Sequence, residues 1–130
     1  MSERPTDESR SGTFEVVAIV RPHLRDPIKK ELTKANILGM TATQVEGYGR
    51  QLGHSEHYRG AEYEIEFLPK LQLTILVAAK DLDAALTAIK DAARKEMIPD
   101  LGRAPYGTGI AYIRPVEEAI RLSNFTKLCE

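Results

Sequence analysis

Between Tyr63 and Val77 the apolar residues keep to alternate positions. They are Tyr63, Ile65 and Phe67, then, past an interruption at Pro69-Lys70, Leu71, Leu73, Ile75 and Val77. Glu64 and Glu66 fill the places between at the start. A period of two sustained this far predicts a β-strand with one face on a core, half solvated where it begins. Such a strand needs neighbours and a layer to bury its apolar face, and the rest of the chain has to supply both.

Thr13 to Val20 (TFEVVAIV) is rich in β-branched residues and reads as a central strand that Arg21-Pro22 ends. Asp26 reads as an N-cap with Pro27 at the first helical position, and Ile28, Leu32 and Ala35 give an apolar stripe. Gly39 fits a left-handed stop after that helix. Met40 to Tyr48 reads as a second strand, with Thr41, Thr43 and Val45 on one face and Met40, Ala42 and Gln44 on the other. Asp81 fits the cap of a second helix, in which Leu82, Ala85, Leu86, Ile89 and Ala93 follow a helical period. Lys90, Arg94 and Lys95 crowd its end, where cations suit the helix dipole. Ile98 to Gly109 is rich in breakers and reads as a loop. Ile110 to Arg114 fits a last strand, and Pro115 to Leu122 a short helix.

The order is βαββαβ. It predicts an α+β, ferredoxin-like fold, with helices on one face of an antiparallel sheet and a long polar loop between strands 2 and 3. AIVRP closing the first strand and YIRP closing the last give a weak internal echo. The uncovered sheet face predicts oligomerisation. We expect a flexible tail over residues 1–12, one folded domain over 13–122 and a C-terminal tail over 123–130.

Composition narrows the function. The chain has 130 residues, a formal net charge of −1 and 28% charged residues. That balance supplies no counterion-release drive toward nucleic acid or an anionic membrane. A ferredoxin-like RNA reader places aromatics on its central strands, and here the first and third strands offer Val, Ala, Ile, Leu and Thr. No apolar run is long enough to span a bilayer, and the opening MSERPTDESRSG lacks the apolar core of a signal peptide. Cys129 is the only cysteine, which rules out a disulfide within the chain and reads as an inert thiol. These features together predict a cytoplasmic location. There is no HExxH, GxSxG or Walker A lysine motif, so the chain does not read as an enzyme. His54, Glu56 and His57 match a metal cluster by type alone, and they read as solvated loop residues.

The run Gly47 to Lys70, GYGRQLGHSEHYRGAEYEIEFLPK, joins a glycine-rich turn with an arginine to a long polar loop. Glycines let a backbone approach an anion and present its N–H groups, and arginine supplies forked donors for phosphate oxygens. Taken alone, GYGR is more often a strand-end turn than an anion site.

In its order of elements and in the run GMTATQVEGYGRQLGHSEHYRGAEY followed by FLPK, the chain resembles the PII signal-transduction proteins over roughly Phe14 to Arg121. The resemblance implies a homotrimer with an adenine nucleotide (ADP, AMP or ATP) in each cleft between subunits. It also implies a T-loop, residues 49–66, that presents the ligand state to a protein target such as a transporter, enzyme or regulator. Membrane contact would come only through that target, and nucleic acid is not among the expected partners. By match, Gly47, Tyr48, Gly49, Arg50 and Gln51 fall where the T-loop base meets the phosphates. Ile19, Thr41 and Leu76 fall near the adenosine, and Arg121 matches a C-terminal phosphate-binding arginine. Gln51 and Lys70 match the positions that handle Mg-ATP and 2-oxoglutarate, and Tyr63 matches the tyrosine that some bacterial members uridylylate.

The departures are specific. Where the family's B-loop usually reads GDGK, this chain reads GTGI at Gly107, Thr108, Gly109 and Ile110, in a longer loop that contains Arg103. Where the family's C-terminus reads RxRTGE, this chain reads RLSNFTKLCE, with Ser123 in place of the second arginine. Losing two cations weakens polyphosphate binding, and Arg103 is a candidate to replace one of them. The expectation is therefore a divergent PII-like branch that responds to ADP, AMP or bicarbonate and serves inorganic-carbon handling. The alternative is a nitrogen-regulatory PII that responds to Mg-ATP and 2-oxoglutarate and is uridylylated on its T-loop.

Overall fold

The long alternation resolves into a strand over Leu68–Ala78, which carries Leu73, Ile75 and Val77 into the core of the computed structural model. The structure describes residues 11–48, 67–98, 102, 104 and 108–128. In chain order the elements are β1 (Thr13–Val20), α1 (Arg25–Lys34), β2 (Thr41–Gly47), β3 (Leu68–Ala78), α2 (Leu82–Arg94) and β4 (Gly109–Val116). Short 3-10 turns at Pro22–Leu24 and Ala79–Asp81 lead into the two helices. The four strands form one sheet in the order β2-β3-β1-β4. Every neighbouring pair is antiparallel. This is the expected ferredoxin-like arrangement; the residues expected to form the long loop between β2 and β3 lie outside the described residues but for Tyr48 and Phe67.

Register decides which side chains share a face. Val16 sits opposite Ile75 and Ile113, and Ala18 opposite Leu73 and Ala111. These residues point toward the helices, where Ile28 and Leu32 of α1 and Leu82, Ala85, Ala88, Ile89 and Ala92 of α2 close the core. Burying a branched aliphatic side chain is worth about 1.5–3 kcal/mol, so this layer dominates stability. Ala85, Ala88 and Ala92 are the small side chains that α2 contributes to this core. Glu31 ties the helices together at their edge, with its Oε2 3.4 Å from both Lys34 Nζ and Lys95 Nζ. Partial burial pushes the Glu31 carboxyl up, but the two ammonium groups outweigh it and hold it below the ordinary value.

The helix ends differ from the expectation. α1 begins at Arg25 behind the Pro22 turn, so Asp26 and Pro27 lie inside the first turn and not at the cap. Asp26 accepts a hydrogen bond from Arg25 Nε at 3.1 Å. The helix stops at Asn36 (φ +61), not at Gly39. Asn36 N–H donates to Thr33 C=O at 2.9 Å and Ile37 N–H to Leu32 C=O at 2.9 Å. That is a Schellman ending, and its apolar contact is Ile37 on Leu32, both in the core. Asparagine serves because its short polar side chain tolerates the left-handed region. Asp81 does precede α2, but its side chain makes no capping hydrogen bond.

Two prolines sit within strands. Pro69 does not interrupt β3. The β1 ladder on β3 ends at Val20 opposite Leu71, so at Pro69 the strand has a partner on one side only. Pro115 lies in β4, an edge strand, which continues to Val116 in place of the expected helix. Beyond it the chain turns back on itself. Ile120 bridges Lys127, and Arg121 N–H donates to Thr126 C=O at 2.8 Å.

Candidate functional site

Among the described residues the sheet has one face under the helices and one face open. On the open face, alternation places Glu15, Val17 and Ile19 of β1 beside Gln72, Thr74 and Leu76 of β3. β4 adds Ile110, Tyr112 and Arg114, and β2 adds Thr41, Thr43 and Val45. Among the exposed large apolar residues of this face are Leu76 (45%), Ile110 (64%) and Tyr112 (40%). Glu15 accepts two bonds from Arg114, from Nη2 at 2.6 Å and from Nε at 2.9 Å. These hydrogen bonds hold the guanidinium firmly charged while it lies over the Tyr112 ring.

The most polarised part of this face is the corner where β2 and β3 leave the sheet. Lys70 is buried, 8% exposed, although it is a lysine. Its stem runs across Gly47, where an added β-carbon would come within 3.0 Å of Lys70 Cγ. Extending the β1–β3 register by one residue sets Arg21 opposite Lys70. Burial first, and the Arg21 charge second, hold the Lys70 ammonium below the ordinary lysine value. A cleft of about 450 Å³ opens here, lined in part by Pro22, Val45, Glu46 and Lys70. Lys70 thus lines this cleft beside Glu46, with the Arg21 charge near enough to act on its ammonium.

β4 enters at the same end. Thr108 C=O accepts a hydrogen bond from Arg21 N–H at 3.2 Å, and Gly109 pairs with Val20. Gly109 has φ +150, and a β-carbon there would stand 2.6 Å from Ile19 O. Its glycine identity thus has a steric reason within the fold.

The structure brings some of the expected site residues together and separates others. Gly47, Lys70, Thr108 and Gly109 gather at the corner. Ile19, Thr41 and Leu76 lie on the open face, in three successive rows marked by Gln72, Thr74 and Leu76 of β3. Tyr48 follows Gly47, its ring on Phe67 with centroids 5.2 Å apart. Arg121 is at the opposite end, because β4 runs from Gly109 beside Val20 to Val116 beside Thr13. Seven strand residues separate those levels by about 23 Å. Gly49, Arg50, Gln51, Tyr63, Arg103 and Gly107 lie outside the described residues, as does the histidine cluster at His54 and His57.

Arg21 is the residue that sequence reasoning missed. It reads as a strand terminator, and only the register reveals it as the neighbour of Lys70. Register also sets Thr74 and Gln72 opposite Thr41 and Thr43 across β2–β3, a polar strip leading from the corner. Among the described residues no helix is long and apolar enough to cross a membrane, and no group of three or more His, Cys, Asp or Glu is placed to hold a metal ion.

Comparison with known proteins gives this geometry a context. A solved structure of PII from Arabidopsis thaliana bound to citrate superimposes with a TM-score of 0.66 at 24% identity, over 92% of this chain and 91% of that one, which shows a shared fold. A nitrogen regulatory protein P-II from Nostoc punctiforme is 42% identical over 115 residues, 88% of this chain and 96% of that protein. Another from Cereibacter sphaeroides is 40% identical over 107 residues, 82% of this chain and 88% of that protein. The family model described as nitrogen regulatory protein P-II matches residues 13–124, and the chain therefore belongs to that family of signal-transducing regulators.

Proposed function

We propose that this protein is a PII-type regulator that binds an adenine nucleotide at the Lys70 corner and signals the bound state through the loop that leaves the sheet there. The observation that carries the proposal is the pairing of buried Lys70 with Arg21 beneath Gly47, at the root of residues 49–66. Phosphate oxygens are the natural counter-charge for such a corner. Gly47 and Tyr48 begin the loop base, and Gly49, Arg50 and Gln51, outside the described residues, are the phosphate contacts on this reading. Ile19, Thr41 and Leu76 offer an apolar and hydroxyl-bearing surface to the nucleoside.

The site is completed in a homotrimer. Arg121 follows the far end of β4, whose two ends are about 23 Å apart, so on this reading it serves the corner of a neighbouring copy. The exposed apolar residues of the open face are the surface that assembly would cover. Thr108, Gly109 and the surrounding loop, with Gly107 and Arg103, take the place of a lysine-bearing phosphate loop. This reduced cation count favours ADP or AMP over Mg-ATP, with bicarbonate as the co-effector in an inorganic-carbon role. Gln51 and Lys70 are the effector contacts on this reading. The nitrogen-type alternative, with 2-oxoglutarate synergy and uridylylation of Tyr63, keeps the same site and changes the co-ligand. The protein acts in the cytoplasm on a protein target.

Calorimetric titration tests the reading. ATP, ADP and AMP are each titrated with and without Mg²⁺ plus 2-oxoglutarate, and with and without bicarbonate. Tightest binding of ADP or AMP, altered by bicarbonate alone, is the expected result. Tightening of ATP by 2-oxoglutarate establishes the nitrogen-type alternative, and no nucleotide binding of any kind overturns both.

A further inference from the structure

We propose that Phe125 is a base-stacking contact supplied in trans: its ring covers the planar base of an adenine nucleotide held at the Lys70 corner of a neighbouring copy. The inference rests on the function proposed above.

Phe125 has φ +60, a left-handed backbone conformation that side chains other than glycine and asparagine rarely adopt. The residue is 79% exposed, so the strain secures almost no burial within the chain. The conformation is nevertheless held in place. Phe125 N–H donates to Arg121 C=O at 2.7 Å and Arg121 N–H to Thr126 C=O at 2.8 Å. Asn124 Oδ1 accepts from Thr126 Oγ1 at 2.7 Å and from Thr126 N–H at 3.1 Å. Leu128 N–H donates to Ala119 C=O at 2.9 Å and closes the hairpin. A strained, well-anchored turn that presents an aromatic ring to solvent points to a function outside its own chain.

The chemistry of the turn indicates which function. It carries a flat aromatic face and a guanidinium, on Phe125 and Arg121, joined by a backbone hydrogen bond. An aromatic face takes a nucleobase by stacking, and a guanidinium takes the anionic part of the same molecule. The Lys70 corner, with Arg21 opposite in register and a cleft of about 450 Å³ beside it, gives the anionic part of such a molecule a place to enter. The hairpin cannot reach its own corner, because it is docked beside Gly12 and Thr13 at the opposite end of β1. The nucleotide therefore meets Lys70 from one copy and Phe125 from the next.

The test compares a ligand with a base and one without. Purified full-length chain and its F125A, F125G and F125W variants are titrated with ADP and with inorganic tripolyphosphate. F125A is expected to weaken ADP about tenfold and to leave tripolyphosphate unchanged. F125G is expected to show the same loss while raising the thermal midpoint, because glycine adopts this φ without strain. The chain contains no tryptophan, so F125W provides a single indole, quenched by ADP and not by tripolyphosphate. A mixture of F125A and K70M chains, co-refolded, is expected to regain a fraction of tight ADP sites, since only a trans arrangement yields a site with both residues intact. Undiminished ADP affinity in F125A and F125G overturns the proposal, as does equal loss of both ligands or an altered assembly state with normal affinity. Failure of the unmodified chain to bind ADP removes the nucleotide reading itself, and the stacking role with it.

Discussion

Lys70 crosses the space that a side chain at Gly47 would occupy: a β-carbon there would lie 3.0 Å from Lys70 Cγ and 3.3 Å from its Cε. The obstruction is the stem of a flexible side chain and not backbone, so the fold can accommodate a methyl group by moving the lysine. Gly47→Ala should therefore cost under ~1 kcal/mol of stability yet displace the ammonium from the corner. The expected outcome is a thermal midpoint within a few degrees of the parent and an ADP affinity about tenfold weaker by calorimetry. Unchanged affinity would show that the position of the Lys70 stem is immaterial to binding.

Gly109 presents the opposite case. Its added β-carbon would meet Ile19 O at 2.6 Å and Val20 Cγ1 at 2.8 Å, at φ +150. Backbone cannot yield as a lysine stem can, and the strand pairing of Val20 with Gly109 lies directly beneath. Gly109→Ala should cost at least ~3 kcal/mol, from strain and clash together. Chemical denaturation gives the check: the midpoint should fall sharply with the m-value retained.

Lys70 should make ligand-free stability depend on pH in a definite direction. Burial first, then Arg21, lower its folded-state pKa below the unfolded value. Below the folded pKa both states carry the proton, and the native state bears the full cost of the buried charge. As pH rises through that pKa the native lysine releases its proton first, and the cost is shed until the unfolded value near ~10.4 is passed. Lys70→Met removes the cost at every pH. Its thermal midpoint should exceed the parent's by a few degrees near neutrality, with the gap closing on the alkaline side. Tripolyphosphate affinity of the parent should fall across the same window as the ammonium is lost. A gap that stays constant from about pH 7 to about pH 10 would contradict this account.

How far the sequence discloses the molecule depends on whether a feature is local or arises from register. Strand alternation and the 3.6-residue period are local, so β1, α2 and the odd-numbered face of β3 can be read from residues alone. Ala88 and Ala92 are buried without standing out in that reading, because alanine is as common on a solvated helix face as on a packed one. The prolines mislead for a tertiary reason. Pro69 reads as a break and Pro115 as the start of a helix, yet each lies where its strand lacks a partner on one side. The site divides in the same way. Gly47 and Lys70 belong to a run that can be recognised in sequence, whereas Arg21 joins them only because β1 ends where it does against β3. Arg121 carries the right chemistry, but the sequence gives no sign that it lies at the far end of the sheet.

The end of α1 offers a prediction in which two effects oppose each other. Asn36 holds φ +61, and the two bonds of the Schellman ending depend on it: its own N–H to Thr33 C=O and that of Ile37 to Leu32 C=O. Glycine at this position removes the residual strain but also enlarges the entropy of the unfolded chain, so the two changes offset. Asn36→Gly should therefore be neutral to about +0.5 kcal/mol. Alanine has neither glycine's freedom nor asparagine's tolerance of the left-handed region, and Asn36→Ala should cost about 1 kcal/mol. Urea denaturation of the pair should rank them glycine first and alanine last. The reverse order would mean that the left-handed backbone of Asn36 does not decide which residue is tolerated there. Because this turn sets where the chain leaves α1 to enter β2 at Thr41, the alanine variant should also show faster amide exchange at Ile37, whose N–H makes the longer-range bond of the motif.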